Sequence, residues 1–207
     1  MKKCKYKITD QYTFQGAIKL HRIQALRDFG RIRKGDLGGY VQGPRNLSQT
    51  GMCWIHDDAR AYGKAHVSGN ANLRDRCHAF GNAQVYENSE MSGDCCASGW
   101  SQVYGRAKVD QHAWLFCQAK AYGDTHVTMN AWMSGNSQAY GNSYIGGTAQ
   151  LIDEAQVFER GRVGGPSVVA RASKIFGDMK VYNNTREYGV ALALVDSLYT
   201  EEDMSYV

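Results

Sequence analysis

Six histidines and six cysteines are the residues from which this 207-residue chain could build polar chemistry. Four of the histidines, His66, His78, His112 and His126, lie in its central part. Imidazole titrates near neutral pH and can take a proton from an attacking hydroxyl or amine, so each is a candidate general base. The cysteines form no CxxC pair, and Cys95 and Cys96 are adjacent, so a metal site is not expected. Asp28-Phe-Gly lacks the Gly-rich loop, lysine and catalytic-loop aspartate that give that tripeptide meaning in a kinase. Gly35-Asp-Leu-Gly-Gly is not followed by the GK[ST] of a phosphate loop.

The histidines are carried by a repeat of six. From Ala59 to Glu187 the chain runs as Ala59-Arg-Ala-Tyr-Gly-Lys, Ala65-His-Val-Ser-Gly-Asn, and onward without an insertion or deletion. The first residue of each hexad is small and the third is aliphatic. The fifth is most often Gly and the sixth often Asn or Asp. Small-x-aliphatic is the period-2 alternation of a short strand, with positions one and three facing one side. Gly followed by Asn or Asp is turn chemistry. Cys77 and Cys95 occupy the small inward position, where a thiol packs as a small hydrophobe. One such strand and turn cannot bury an apolar face; stacked copies can, so the pattern predicts an all-β solenoid.

The hexads resemble those of the left-handed parallel β-helix of hexapeptide-repeat proteins. That resemblance implies triangular coils of three hexads, about seven of them, with layers about 4.8 Å apart. Glycine stands two places after the aliphatic residue, as in Val103-Tyr-Gly, whereas many acyltransferases of this fold place it one place after.

An 18-residue coil sorts the outward residues onto three faces. One carries an aromatic ladder, Tyr86, Tyr104, Tyr122, Tyr140, Phe158 and Phe176, beside Gln84, Gln102, Lys120, Gln138, Gln156 and Lys174. The second carries Arg60, His78, Cys96, Trp114, Trp132 and Gln150, with Tyr62, Phe80, Phe116 and Ile152 alongside. The third, with Glu90, Lys108, Asp110, His126, Thr128 and Arg162, is mixed and polar and reads as solvent-facing.

Outside the repeat the chain divides into a basic β-rich N-terminal cap at residues 1–52, the solenoid at 53–188, and a C-terminal cap with an acidic tail at 189–207. Residues 1–45 hold 11 Lys or Arg and three Asp, while residues 189–207 hold four acids and no Lys or Arg. The segments Lys5-Tyr-Lys-Ile-Thr and Ile18-Lys-Leu-His-Arg-Ile alternate like the strands of a hairpin. Asp28-Phe-Gly and Gly35-Asp-Leu-Gly-Gly read as tight turns. No run of about 18 apolar residues would span a membrane, and the start lacks the apolar core of a signal peptide. The expected location is the cytoplasm.

His21-Arg-Ile-Gln-Ala-Leu-Arg-Asp-Phe-Gly, Gly35-Asp-Leu-Gly-Gly-Tyr-Val, Asn46-Leu-Ser-Gln-Thr-Gly and Trp54-Ile-His-Asp-Asp-Ala follow in order. Together with the Val-Tyr-Gly-x-Ala repeats, over roughly residues 20–188, they resemble the YdcK-like group of phage- and prophage-encoded hexapeptide-repeat proteins. The resemblance implies a bacterial host cytoplasm. Transferase labels in that group rest on fold analogy.

Two functions are in competition. Hexapeptide acyltransferases, by the same resemblance, are trimers that use a coenzyme A thioester such as acetyl-CoA and a histidine base between subunits. His66, His78 and His126 point outward on three different faces and His112 falls on a turn. With no loop inserted in the frame the faces are expected to be flat, a poor small-molecule pocket. The favoured reading is therefore a non-catalytic phage or prophage accessory protein, without cofactor, that binds a protein partner and inhibits a host system. Phe80, Trp114, Phe116, Trp132 and Ile152 form its expected interface. The aromatic ladder reads first as scaffold and second as interface, including for a homo-oligomer, trimer or dimer. Nucleic acid ranks below protein as a partner, because only two of the six residues beside the ladder are lysines and the repeat is neutral.

Overall fold

A computed structural model describes residues 4–182 and 185–188. The segment 189–207, read from sequence as a C-terminal cap and acidic tail, lies outside the described residues. The described chain is all-β, with parallel sheets forming a solenoid of about eight turns and no helix. Three walls of 11, eight and seven strands form; apart from the three longer N-terminal strands at one edge of the first wall, the strands are two or three residues long and each pairs with the one 18 residues away. His78, Cys96, Trp114 and Trp132 are successive partners on one wall, Gln84, Gln102 and Lys120 on the second, and Lys108, His126 and Tyr144 on the third.

The sequence explains each corner. Every fifth hexad residue from Gly51 to Gly177 has positive φ, including nine that are not glycine, from Asp57 to Arg171. A left-handed residue once per hexad turns the chain after each strand. The first and third hexad residues are buried, giving a narrow core of stacked Ala, Cys, Ser, Val, Leu and Met. Small residues at position one allow three walls to meet near the axis, and the aliphatic at position three fills the space between layers. Each wall's ladder bonds repeat from coil to coil, as in Gln102 N to Ala119 O at 3.0 Å.

The solenoid begins before the regular hexads. Strand β1 (Tyr6–Gln15) and strand β2 (Ile18–Ala25) form an antiparallel hairpin around Gly16, and β2 pairs antiparallel with strand β3 (Leu37–Val41). β3 in turn pairs in parallel with Arg60–Ala61, and Leu47 bridges in parallel to Val67. Tyr40 faces Arg60 and Leu47 faces Val67, so this first coil is two residues longer than the later ones. Its irregular length hid it from a count of hexads, which is why about seven coils were expected and about eight are found.

Gly38 and Gly39 lie inside β3 rather than in the turn read from their sequence; only Gly35, with φ 98°, is left-handed there. Close packing is the reason. A Cβ on Gly38 would sit 2.6 Å from Ile55 O and 2.7 Å from Trp54 Cζ2. Above them the open end of the core is plugged by Trp54, with Phe29 and Tyr6 edge-on to it at 5.3 and 6.3 Å. Lys5 is fully buried in the same plug, its Nζ donating to Cys53 O at 2.9 Å and Thr50 O at 3.3 Å, and contacting Cys53 Sγ at 3.1 Å. Desolvation lowers its pKa.

Candidate functional site

The four candidate histidines are not brought together. His66, on the seven-stranded wall, meets Arg45 O through Nδ1 at 2.7 Å. His112 stands on a corner, 3.6 Å from Asp94. His126, on the eight-stranded wall, places Nε2 2.8 Å from Asp110 Oδ2, and Thr128 Oγ1 donates to Asp110 Oδ1. The wall read as plain solvent surface therefore holds a three-residue hydrogen-bonded cluster, with Tyr144 edge-on to the His126 ring at 5.7 Å.

His78 has a different setting. The hairpin β1–β2 is bent by irregular pairing of β1 with β2 between Ile8 and Tyr12 and of β2 with β3 between Arg22 and Gln24. Its outer end turns over the 11-stranded wall, where Arg60 Nη1 donates to Gln15 Oε1. Alternation then decides which side chains face which way: Thr13 and Gln15 are partly covered, Tyr12 and Phe14 exposed. Between hairpin and wall lies a cleft of about 540 Å³, lined by Thr13, Tyr40, Asp58, Arg60, Arg76, His78, Asp94 and Cys96. The walls expected to be flat carry one shallow, open concavity here, built by the cap rather than by an inserted loop. Burial first, and the Arg60 charge second, lower the pKa of His78. The neutral form, required of a base, is thereby favoured. Burial also pushes the Cys96 thiol up to about 11, so it is no thiolate nucleophile at neutral pH.

The corner beside the cleft is a column of alternating charge. Arg76 donates to Asp94 at 2.7 Å, and His112 approaches the same carboxylate. Asp58, one coil before Arg76, makes no direct ion-pair contact among the described residues, although its charge acts on Arg76. No group of three or more His, Cys, Asp or Glu among the described residues converges on a metal-sized site.

Further along the same wall the aromatic residues take over. Trp114 and Trp132 are paired on adjacent coils and are 50% and 41% exposed. Phe116 packs edge-on to Trp132 at 5.6 Å and is half-buried, while Phe80 stacks on Tyr62 at 5.1 Å. Ile152 is half-buried one coil beyond Trp132. Two exposed residues went unnoticed in the sequence, Trp100 at 64% and Met129 at 42%. They occupy the sixth and fifth hexad positions, where the pattern wants Asn or Asp and Gly. An apolar residue at a turn position was the available signal.

The aromatic ladder stacks face to face from Tyr86 to Phe176, with centroids 4.8–5.2 Å apart and planes within 10°. Each ring covers its neighbour's face, so within the column only edges remain outward. The rings are consumed as scaffold, and a planar ligand finds no free face between them.

No known family profile matches the chain. A protein of Escherichia coli (strain K12), named as the uncharacterised acetyltransferase YdcK, is 39% identical over 57 residues. The match covers 27% of this chain and 18% of that protein, so it spans less than a fifth of the relative's length. No helix among the described residues is long and apolar enough to cross a membrane. The six-residue frame, the parallel solenoid it folds into and this partial match together fit a hexapeptide-repeat family.

Proposed function

We propose that the chain is a non-catalytic binding protein that holds a protein partner against the aromatic end of its 11-stranded wall. In the phage or prophage setting implied by the sequence resemblance, that partner belongs to a host system. The observation that carries the reading is the exposure of Trp100, Trp114, Met129 and Trp132 along neighbouring coils. Large rings left in water on a rigid surface are typical anchors of a protein interface. The test is photo-crosslinking from position 116 in host cells, with the crosslinked partner identified and then offered to the purified chain. The double variant Trp114→Ala/Trp132→Ala should stay folded and lose that partner. A folded double variant that binds it at full affinity refutes the reading.

A second reading is acyl transfer with His78 as base. Two observations favour it: the partial match to a protein named as an acetyltransferase, and the position of a neutral histidine inside a cleft. Calorimetric titration with acetyl-CoA decides it. Saturable binding that is followed by acetylation of an added amine, and lost in His78→Ala, supports transfer; a flat trace removes it.

A further inference from the structure

We propose that the cleft beneath the β1–β2 hairpin binds a small zwitterion, a molecule with a carboxylate or phosphate at one end and an ammonium at the other. The proposal is independent of both readings above. It rests on the charges that the cleft leaves unpaired. Two arginines and two aspartates line it, so its formal charge is balanced. Asp94 is already engaged by Arg76 at 2.7 Å and by His112 at 3.6 Å. That leaves Arg60 without a carboxylate and Asp58 without a direct ion-pair contact among the described residues, its charge acting only at longer range on Arg76, and both line one concavity.

Arg60 is the stronger anchor. Its Nη1 is spent on Gln15 in the roof, while its Nη2 has no hydrogen-bond acceptor among the described residues. A guanidinium that keeps a free donor and has no carboxylate partner favours an anionic oxygen in the cleft. Arg60 is also held in place from the hairpin side, so little freedom is lost when a ligand arrives. Asp58 projects from the exposed corner and marks the opposite pole.

The remaining lining suits the spacer of such a molecule. The His78 ring makes no hydrogen bond among the described residues. Burial keeps it neutral, so it offers a donor and an acceptor without adding a third charge. Tyr40 Oη accepts from Arg22 Nη1 at 3.0 Å, which leaves its own hydroxyl proton to donate. Thr13 adds a hydroxyl from the roof. A volume of about 540 Å³ lies within the range of small-ligand sites. Opposite poles also give selectivity: a lone anion drawn to Arg60 meets Asp58, and a lone cation drawn to Asp58 meets Arg60.

Calorimetry on the full chain tests this with four probes: O-phosphoethanolamine, β-alanine, inorganic phosphate and ethanolamine. One of the two zwitterions should saturate at least tenfold tighter than either probe that carries charge of one sign only, and which one it is separates phosphate from carboxylate. The His78 ring proton should shift in the NMR spectrum along the same isotherm, which locates the site. Asp58→Asn, an exposed change, should weaken the zwitterion about tenfold while leaving inorganic phosphate unchanged or tighter. A collapsed cleft would weaken both, and Arg60→Lys, which keeps the charge, should retain part of the binding. The proposal fails if neither zwitterion saturates, if inorganic phosphate binds as well as the zwitterion, or if Asp58→Asn leaves the affinity unchanged.

Discussion

Glu87 Oε2 accepts a hydrogen bond at 2.9 Å from the backbone N–H of Gly105, the residue that occupies the same corner one coil later. The relation is general. Asp57, Asp75, Asp153 and Glu159, the other acids at left-handed corners, bond the N–H of Asp75, Gly93, Arg171 and Gly177 in the same way. Left-handed backbone costs a non-glycine residue roughly 1–2 kcal/mol, and a charge-assisted bond to the next coil offsets that cost. Glu87→Ala should therefore lower stability by about 1–2 kcal/mol, because it keeps the strain and loses the bond. Glu87→Gly, which loses both, should cost less. Urea unfolding midpoints rank the two, and equal losses would remove the compensation argument.

Gly38 should be intolerant of any side chain. Its missing Cβ is the space taken by Ile55 O and the Trp54 ring. Gly38→Ala should cost about 3 kcal/mol or prevent folding of the plug. Trp54 fluorescence is the readout, since its indole is buried only while the plug is intact.

The ladder should register in the alkaline limb of stability. Burial first, then the neighbouring Tyr104 and Tyr140, push the Tyr122 phenol up to about 12 from an ordinary 10.0. The folded chain thus holds this proton more tightly than the unfolded one. The resulting stability is complete below pH 10 and is lost as pH rises toward about 12, because the unfolded chain ionises first. Tyr122→Phe should flatten the decline in unfolding midpoint across that window and remove part of the tyrosinate absorbance that develops above pH 11. An unchanged pH profile would mean that the ladder leaves this phenol unaffected.

The four tryptophans should separate by solvent access. Trp54 is sealed beneath the cap, whereas Trp100, Trp114 and Trp132 face water. Iodide should quench the greater part of the native emission and leave a blue-shifted remainder from Trp54. In Trp114→Ala/Trp132→Ala the quenchable part should fall to that of Trp100 alone. Loss of the blue-shifted remainder would show instead that the double variant disturbs the core.

Amino-acid order by itself determined the solenoid, because each coil repeats one local decision. A small residue, an outward residue, an aliphatic residue and then a left-handed corner recur every six positions, and the strand pairings that stabilise them are 18 residues away. The inward set from Ala59 to Val181, the aromatic ladder and the Trp114–Trp132 pair all follow from that period. The first coil did not, since its two extra residues break the frame and only its pairing with Arg60 and Val67 identifies it. Nor did the acid at position five announce its role, because a carboxylate at a turn looks like solubility until the N–H of the next coil is placed against it. The cleft was decided by tertiary structure alone. Thr13 and Gln15 are far from Arg60 and His78 in the chain, outside any period, and only the bend of the hairpin turns them over the wall. A repeat writes its own contacts at a fixed spacing, whereas a cap folding back on the repeat writes contacts that no spacing encodes.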